Sequence, residues 1–173
     1  MANHCLKPIL GLWGVLAAFG MLAPAHGYAD TGPGGPFVGL SGQWSGVGIV
    51  TRPDGSTERL GCTSANAVNA NGWAIAQNLR CANDRFRLDI TSNAASAGGW
   101  LSGMWDDSTH GVRGNLSGHV SRSAILAHIA GNGFAARMIV RAQGKRELVT
   151  MRTFTLRPRN GTKIASVSVA LHK

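Results

Sequence analysis

From Phe37 to the C-terminus, no segment sustains the i, i+3, i+4, i+7 apolar spacing of an amphipathic helix, whereas alternation with a period of two recurs along the chain. Phe86, Leu88 and Ile90 alternate with Arg85, Arg87 and Asp89, and Phe134, Ala136, Met138 and Val140 alternate with Ala135, Arg137 and Arg141. Val167, Val169 and Leu171 repeat the pattern against Ser166 and Ser168. One face of each segment is dry and the other basic or polar, the pattern of antiparallel strands covering a core. Turn formers punctuate these runs: Pro53-Asp54-Gly55, Asn71-Gly72, Asn83-Asp84, Gly98-Gly99, Gly131-Asn132-Gly133 and Gln143-Gly144. The fold class is therefore all-β, an antiparallel meander of about eight to ten strands. A meander of that many twisted strands must close or fold over to cover its apolar face and its edges. An up-and-down barrel is the first expectation and a two-layer sandwich the second. An outer-membrane barrel is excluded because the alternate residues include Arg85, Arg87, Arg137 and Arg141, where lipid requires an apolar band.

The first residues carry a different message. Lys7 is the only fixed side-chain charge before an uncharged run of 14 residues, Ile9 to Leu22. That is short of the roughly 20 residues of a transmembrane helix and matches a signal helix. Small residues follow at Ala23-Pro24-Ala25 and at Gly27-Tyr28-Ala29, so cleavage is expected after Ala25 or Ala29. No cysteine stands between Ile9 and Gly61, which leaves no thiol for lipidation next to the apolar run. The expected organisation is a signal peptide over 1–25, a flexible Gly/Pro leader over 26–36 and a single β domain over 37–173. The expected address is the periplasm or the medium, with no membrane-spanning segment after cleavage.

Cleavage removes Lys7 and Cys5. The mature charge is then 16 basic minus 8 acidic residues, or +8, which favours anionic partners and also keeps a small protein soluble. The remaining thiols, Cys62 and Cys81, form an even pair, which in an oxidising compartment reads as a disulfide. If Asn71-Gly72 is a two-residue hairpin turn, opposed residues have numbers summing to 143, and 62 plus 81 meets that condition.

Gly42-Gln43-Trp44 and Gly103-Met104-Trp105 both match Gly-x-Trp, which resembles the first strand of lipocalins and related calycin barrels. In that family the tryptophan packs across the closed end of the barrel beneath a cavity for a small apolar ligand, so the resemblance implies that Trp44 is a structural plug. A second resemblance rests on Gly42-Gln43-Trp44-Ser45-Gly46, the hairpin from Pro53 to Leu60, Gln77-Asn78-Leu79-Arg80-Cys81 and the Gly103-x-Trp105 strand. These segments look like a group of small exported proteins of rhizobium-like alphaproteobacteria, which implies the compartment and the β fold and no catalytic residue.

Trp100 and Trp105 are five apart, so on one strand they point to opposite faces. Together with Trp73 beside the expected turn, they are candidates for a ligand or partner surface. Arg85, Arg87, Arg137 and Arg141, with the tail cluster Arg152, Arg157, Arg159 and Lys163, are candidates for a basic wall facing an anionic envelope component. Nucleic acid is disfavoured, because only Phe86 lies between two arginines and it faces the other way. Among the histidines only His119 and His128 can approach one another, across a hairpin near Arg122. A turn at Ser121 to Ser123 places His128 opposite Leu116, and no metal site is assigned. Asp106 and Asp107 are sequence neighbours and read as a solvated strand end.

No catalytic or cofactor-binding residue is assigned, since Gly-x-Ser-x-Gly, His-Glu-x-x-His and phosphate-loop motifs are absent. The expected function is non-enzymatic: binding a small apolar ligand or an anionic envelope component. A structural or protein-interaction module of the envelope, or a hydrolase assembled from scattered residues, are the alternatives.

Overall fold

The computed structural model describes residues 34–121, 124–156 and 164–173. The signal segment, the leader up to residue 33, the Arg122-Ser123 corner and Arg157, Arg159 and Lys163 lie outside the described residues.

Ten strands follow one another as β1 (Gly42–Thr51), β2 (Thr57–Val68), β3 (Ala74–Ala82), β4 (Arg87–Ala97), β5 (Trp100–Asp107), β6 (Val112–Val120), β7 (Ile125–Gly131), β8 (Phe134–Gln143), β9 (Arg146–Leu156) and β10 (Ser166–His172). Each pairs antiparallel with its neighbour, and β10 returns to pair with β1, which closes the barrel. Closure removes both sheet edges, so the up-and-down barrel is realised and the sandwich is not. The start of β1, the end of β10 and the β2–β3, β4–β5 and β8–β9 turns mark the upper rim; the β1–β2, β3–β4, β5–β6 and β7–β8 turns mark the lower rim.

Period two governs burial. Leu60, Cys62 and Ser64 on β2, Leu101 and Trp105 on β5, and Val167, Val169 and Leu171 on β10 point inward and are buried, while Arg59, Arg80, Arg87, Arg137 and Arg141 are exposed. Interior-facing backbone also comes very close to its neighbours. A Cβ on Gly114 of β6 would overlap the Ala130 carbonyl of β7, so only glycine permits this approach.

Two local expectations change. The β2–β3 register does sum to 143, with Cys62 opposite Cys81. The turn itself is longer than two residues: Gly72 N–H donates to the Asn69 carbonyl, which puts Ala70 and Asn71 at the corner and Gly72, at φ 75°, after it. Ahead of β1, Val38–Leu40 form one 3-10 turn over the upper rim. Its approach depends on two glycines. Gly35 N–H donates to the Asn71 carbonyl at 2.6 Å, Phe37 N–H donates to the Gly72 carbonyl at 3.1 Å, and a Cβ on Gly35 would collide with Gly72. Phe37 and Leu40 are thereby buried at 0 % and 5 % exposure. Secondly, Asp107 is not a solvated strand end. It is buried at 6 % exposure, because the chain turns sharply into Ser108–Gly111 and its carboxylate accepts from the Thr109 and His110 N–H groups and pairs with His110 Nδ1 at 2.7 Å. Asp106, on the opposite face, is partly exposed beside Arg113.

Candidate functional site in the barrel interior

The core is two clusters rather than one. Trp44, Val50, Leu60, Cys62, Cys81, Phe86, Leu88, Val167, Val169 and Leu171 make the first, on β1–β4, the β3–β4 turn and β10. The second joins Phe37 and Leu40 to Leu101, Trp105, Leu116, Ala127, Ile129 and Ala136 of β5–β8. Partly buried residues reveal the seam between them. On β3, Leu79 packs on the first cluster and Ile75 on the second; on β4, Ile90 packs on the first and Ala94 on the second. Between them stand Gln77 and Ser92, directly opposite each other across β3 and β4. All six share the inward parity of Cys81, Leu88 and Ser96, yet all six remain only half-buried. The interior is therefore not closed at this level. Five strands away around the ring, Met138 and Met151 pair across β8 and β9, also inward and half-buried, and Met151 packs against both clusters. Methionine is the side chain best able to repack around a guest.

A polar chain runs from the seam to the upper rim. Gln77 Nε2 donates to Ser64 Oγ at 3.3 Å, and Ser64 Oγ donates to Asn66 Oδ1 at 2.8 Å. The Leu40 carbonyl then accepts from Asn66 Nδ2 at 3.0 Å and from the Trp44 indole N–H at 2.8 Å. The 3-10 turn is thus tied to both β1 and β2 through a single buried carbonyl. The C-terminal residue adds a third tie: Lys173 Nζ lies 4.6 Å over the Trp44 ring and donates to the Gly39 carbonyl at 3.3 Å. Beneath this cover sits Glu147, 3 % exposed, whose Oε2 has no hydrogen-bond partner among the described residues. Burial pushes its carboxyl up to about 7, against the pull of the Lys173 ammonium.

No protein-family model matches the chain, and none of the curated protein sequences does. Among solved structures, it is similar to Rv2717c from M. tuberculosis, with a TM-score of 0.60 and 14% identity over 79% of this chain and 93% of that one. It is also similar to the S-type phycobiliprotein lyase CPES from Guillardia theta, with a TM-score of 0.57 and 8% identity over 78% of this chain and 88% of that one. The likeness is one of fold.

The residues singled out in the sequence scatter over this frame. Trp44 is 2 % exposed, inside the upper rim against Leu40 and Lys173. Cys62 and Cys81 form the disulfide, Cα atoms 4.1 Å apart, within the first cluster. A disulfide belongs to a compartment outside the reducing cytosol, and among the described residues no helix is long and apolar enough to cross a membrane. Trp100 and Trp105 do face opposite ways, but Trp105 leaves the candidate surface: it is 9 % exposed and its indole N–H donates to the Ala130 carbonyl at 3.3 Å. Trp100, 65 % exposed, lies against His119 outside the upper rim, ring centroids 4.1 Å apart and planes tilted by 43°, and Trp73 is half-exposed at the β2–β3 turn. His119 and His128 do not meet. His128 stands opposite Ser117, not Leu116, because opposed residues on β6 and β7 sum to 245 rather than to the 244 of a turn centred on residue 122, and His119 stands opposite Leu126. The arginines do not form one wall either. Arg85 and Arg87 lie by the β3–β4 turn on the lower rim, while Arg137 and Arg141 lie on β8, four strands from β4. The seam itself left no mark in the sequence beyond two polar residues, Gln77 and Ser92, at inward positions of otherwise apolar strands.

Proposed function

We propose that this protein binds a small, largely apolar ligand inside the barrel, at the seam between its two core clusters. The observation that carries this reading is the row of inward-facing residues that stay half-buried: Ile75, Gln77 and Leu79 on β3, and Ile90, Ser92 and Ala94 on β4. Apolar walls with a few convergent polar groups are the usual make-up of such a site. Gln77 and Ser92 supply the polar contact that orients the ligand, and Met138 and Met151 adapt to its shape. The protein is a binder rather than a catalyst on this reading. The closest acid–imidazole pair among the described residues, Asp107 with His110, is engaged in holding the β5–β6 corner. Export to the periplasm or medium is supported by the disulfide and by the resemblance to exported proteins of rhizobium-like alphaproteobacteria.

The test is titration of the oxidised protein with a neutral fluorescent probe such as N-phenyl-1-naphthylamine, in wild type and in Ser92→Phe and Ala94→Phe variants. Saturable binding that is insensitive to salt and lost in both filled variants, with circular dichroism unchanged, is expected. Binding that survives both fillings, or no saturable binding by the wild type, overturns the site.

A further inference from the structure

Positive charge is segregated in this molecule. From Ser108 to Lys173 the chain holds eleven lysines and arginines and one carboxylate, Glu147, which is buried inside the barrel. On the outer wall of β8 and β9, Arg137 and Arg152 stand directly opposite each other. Like charges in that position repel, and the wall offers no carboxylate to relieve them. Elsewhere on the barrel two outward arginines do find one: Arg80 meets Asp89 at 3.3 Å, and Arg113 meets Asp106 at 3.4 Å. Towards the upper rim the same wall opens into a cleft of ≈ 970 Å³ with Arg141, Arg146 and His172 around Leu148 and Ala170. Apolar side chains are interleaved with these cations: Leu148 is 41 % exposed, and Phe154, beneath the Arg137 guanidinium at 5.5 Å, is 60 % exposed.

We infer that the outer wall of β8–β10 docks on an anionic lipid bilayer. Arginines without acidic partners supply attraction to lipid phosphates, and a soluble polyanion would leave Leu148 and Phe154 in water where a bilayer interface buries them. This surface is independent of the interior site. It suits a barrel that collects or delivers an apolar guest at a membrane.

The experiment is co-sedimentation of the oxidised protein with vesicles of phosphatidylcholine alone, and of phosphatidylcholine with about 30 mol % phosphatidylglycerol, at low and high salt. Wild type is expected on the anionic vesicles only, with partitioning that collapses at high salt. At roughly five-fold per surface cation, replacing Arg137, Arg141, Arg146 and Arg152 by Gln together should weaken partitioning by at least about 100-fold. Leu148→Ser with Phe154→Ser should weaken it while keeping its salt dependence. A control with Arg59→Gln and Arg87→Gln, on β2 and β4, should bind as wild type. Equal binding to both vesicles, equal loss in the control, or indifference to the Leu148 and Phe154 changes would each overturn the inference, the last by pointing to a soluble polyanion.

Discussion

Replacing Glu147 by Gln should invert the usual sign of a carboxylate's contribution to stability. Glu147 titrates near 4.5 in the unfolded chain and near 7 in the fold, where burial disfavours the charge. Because its folded value is raised, the native state holds the proton that the unfolded state releases between these two limits. Stability is therefore fully present below the unfolded value and lost as pH climbs through about 7. At 1.36 kcal/mol per unit, the two values imply a loss of about 2.5 kcal/mol between pH 5 and pH 8 from this group alone. Glutamine is a neutral isostere of the protonated acid, so Glu147→Gln should be about 2 kcal/mol more stable than wild type at pH 8 and within about 1 kcal/mol of it at pH 5. Urea unfolding followed by tryptophan fluorescence, with the disulfide intact, reads this directly as a difference of slopes. Comparing the two proteins cancels the histidines and the other acids. Parallel pH profiles would refute the reasoning, because they would mean that Glu147 is solvated or paired in the native protein.

Lys173→Ala should steepen that wild-type pH dependence, since the Lys173 ammonium opposes the upward shift of Glu147, and should speed amide exchange in the 3-10 turn that it holds through Gly39 and Trp44. Gly114→Ala drives a methyl group into the Ala130 carbonyl and should cost about 3 kcal/mol, lowering the melting temperature by roughly 10 °C in calorimetry. Reducing the Cys62–Cys81 bridge should lower the unfolding free energy by about 3 kcal/mol in urea melts, because it frees a short loop in the unfolded chain. Asn66→Ala removes one of the two donors to the Leu40 carbonyl and should destabilise by about 1–2 kcal/mol, with the exchange protection of Ser41 falling before that of β5.

Much of this architecture is local and was legible in the residues themselves. Alternation with period two fixes which side chains share a face, so the opposite orientations of Trp100 and Trp105, the dry faces of β4 and β10 and the 62–81 pairing all follow from counting along strands. Turn chemistry located most of the corners for the same reason. The β5–β6 corner was missed because Ser108-Thr109-His110-Gly111 carries a weak turn signal, and the Asp107 side chain that caps it does so only once the chain has bent back.

What parity cannot say is which of two faces is inside, or what lies across the barrel. Closure of β1 on β10 decides both, because it brings together residues more than a hundred positions apart. It turned Trp105 inward and Trp100 outward, separated Arg87 from Arg137, and set Arg152 against Arg137. It also brought Lys173 over Trp44 and the 3-10 turn, a cover no local pattern announces. The seam between the two core clusters is likewise a product of the closed ring: Gln77 and Ser92 are ordinary strand residues in the sequence, and only the enclosing walls make them the polar edge of an interior site.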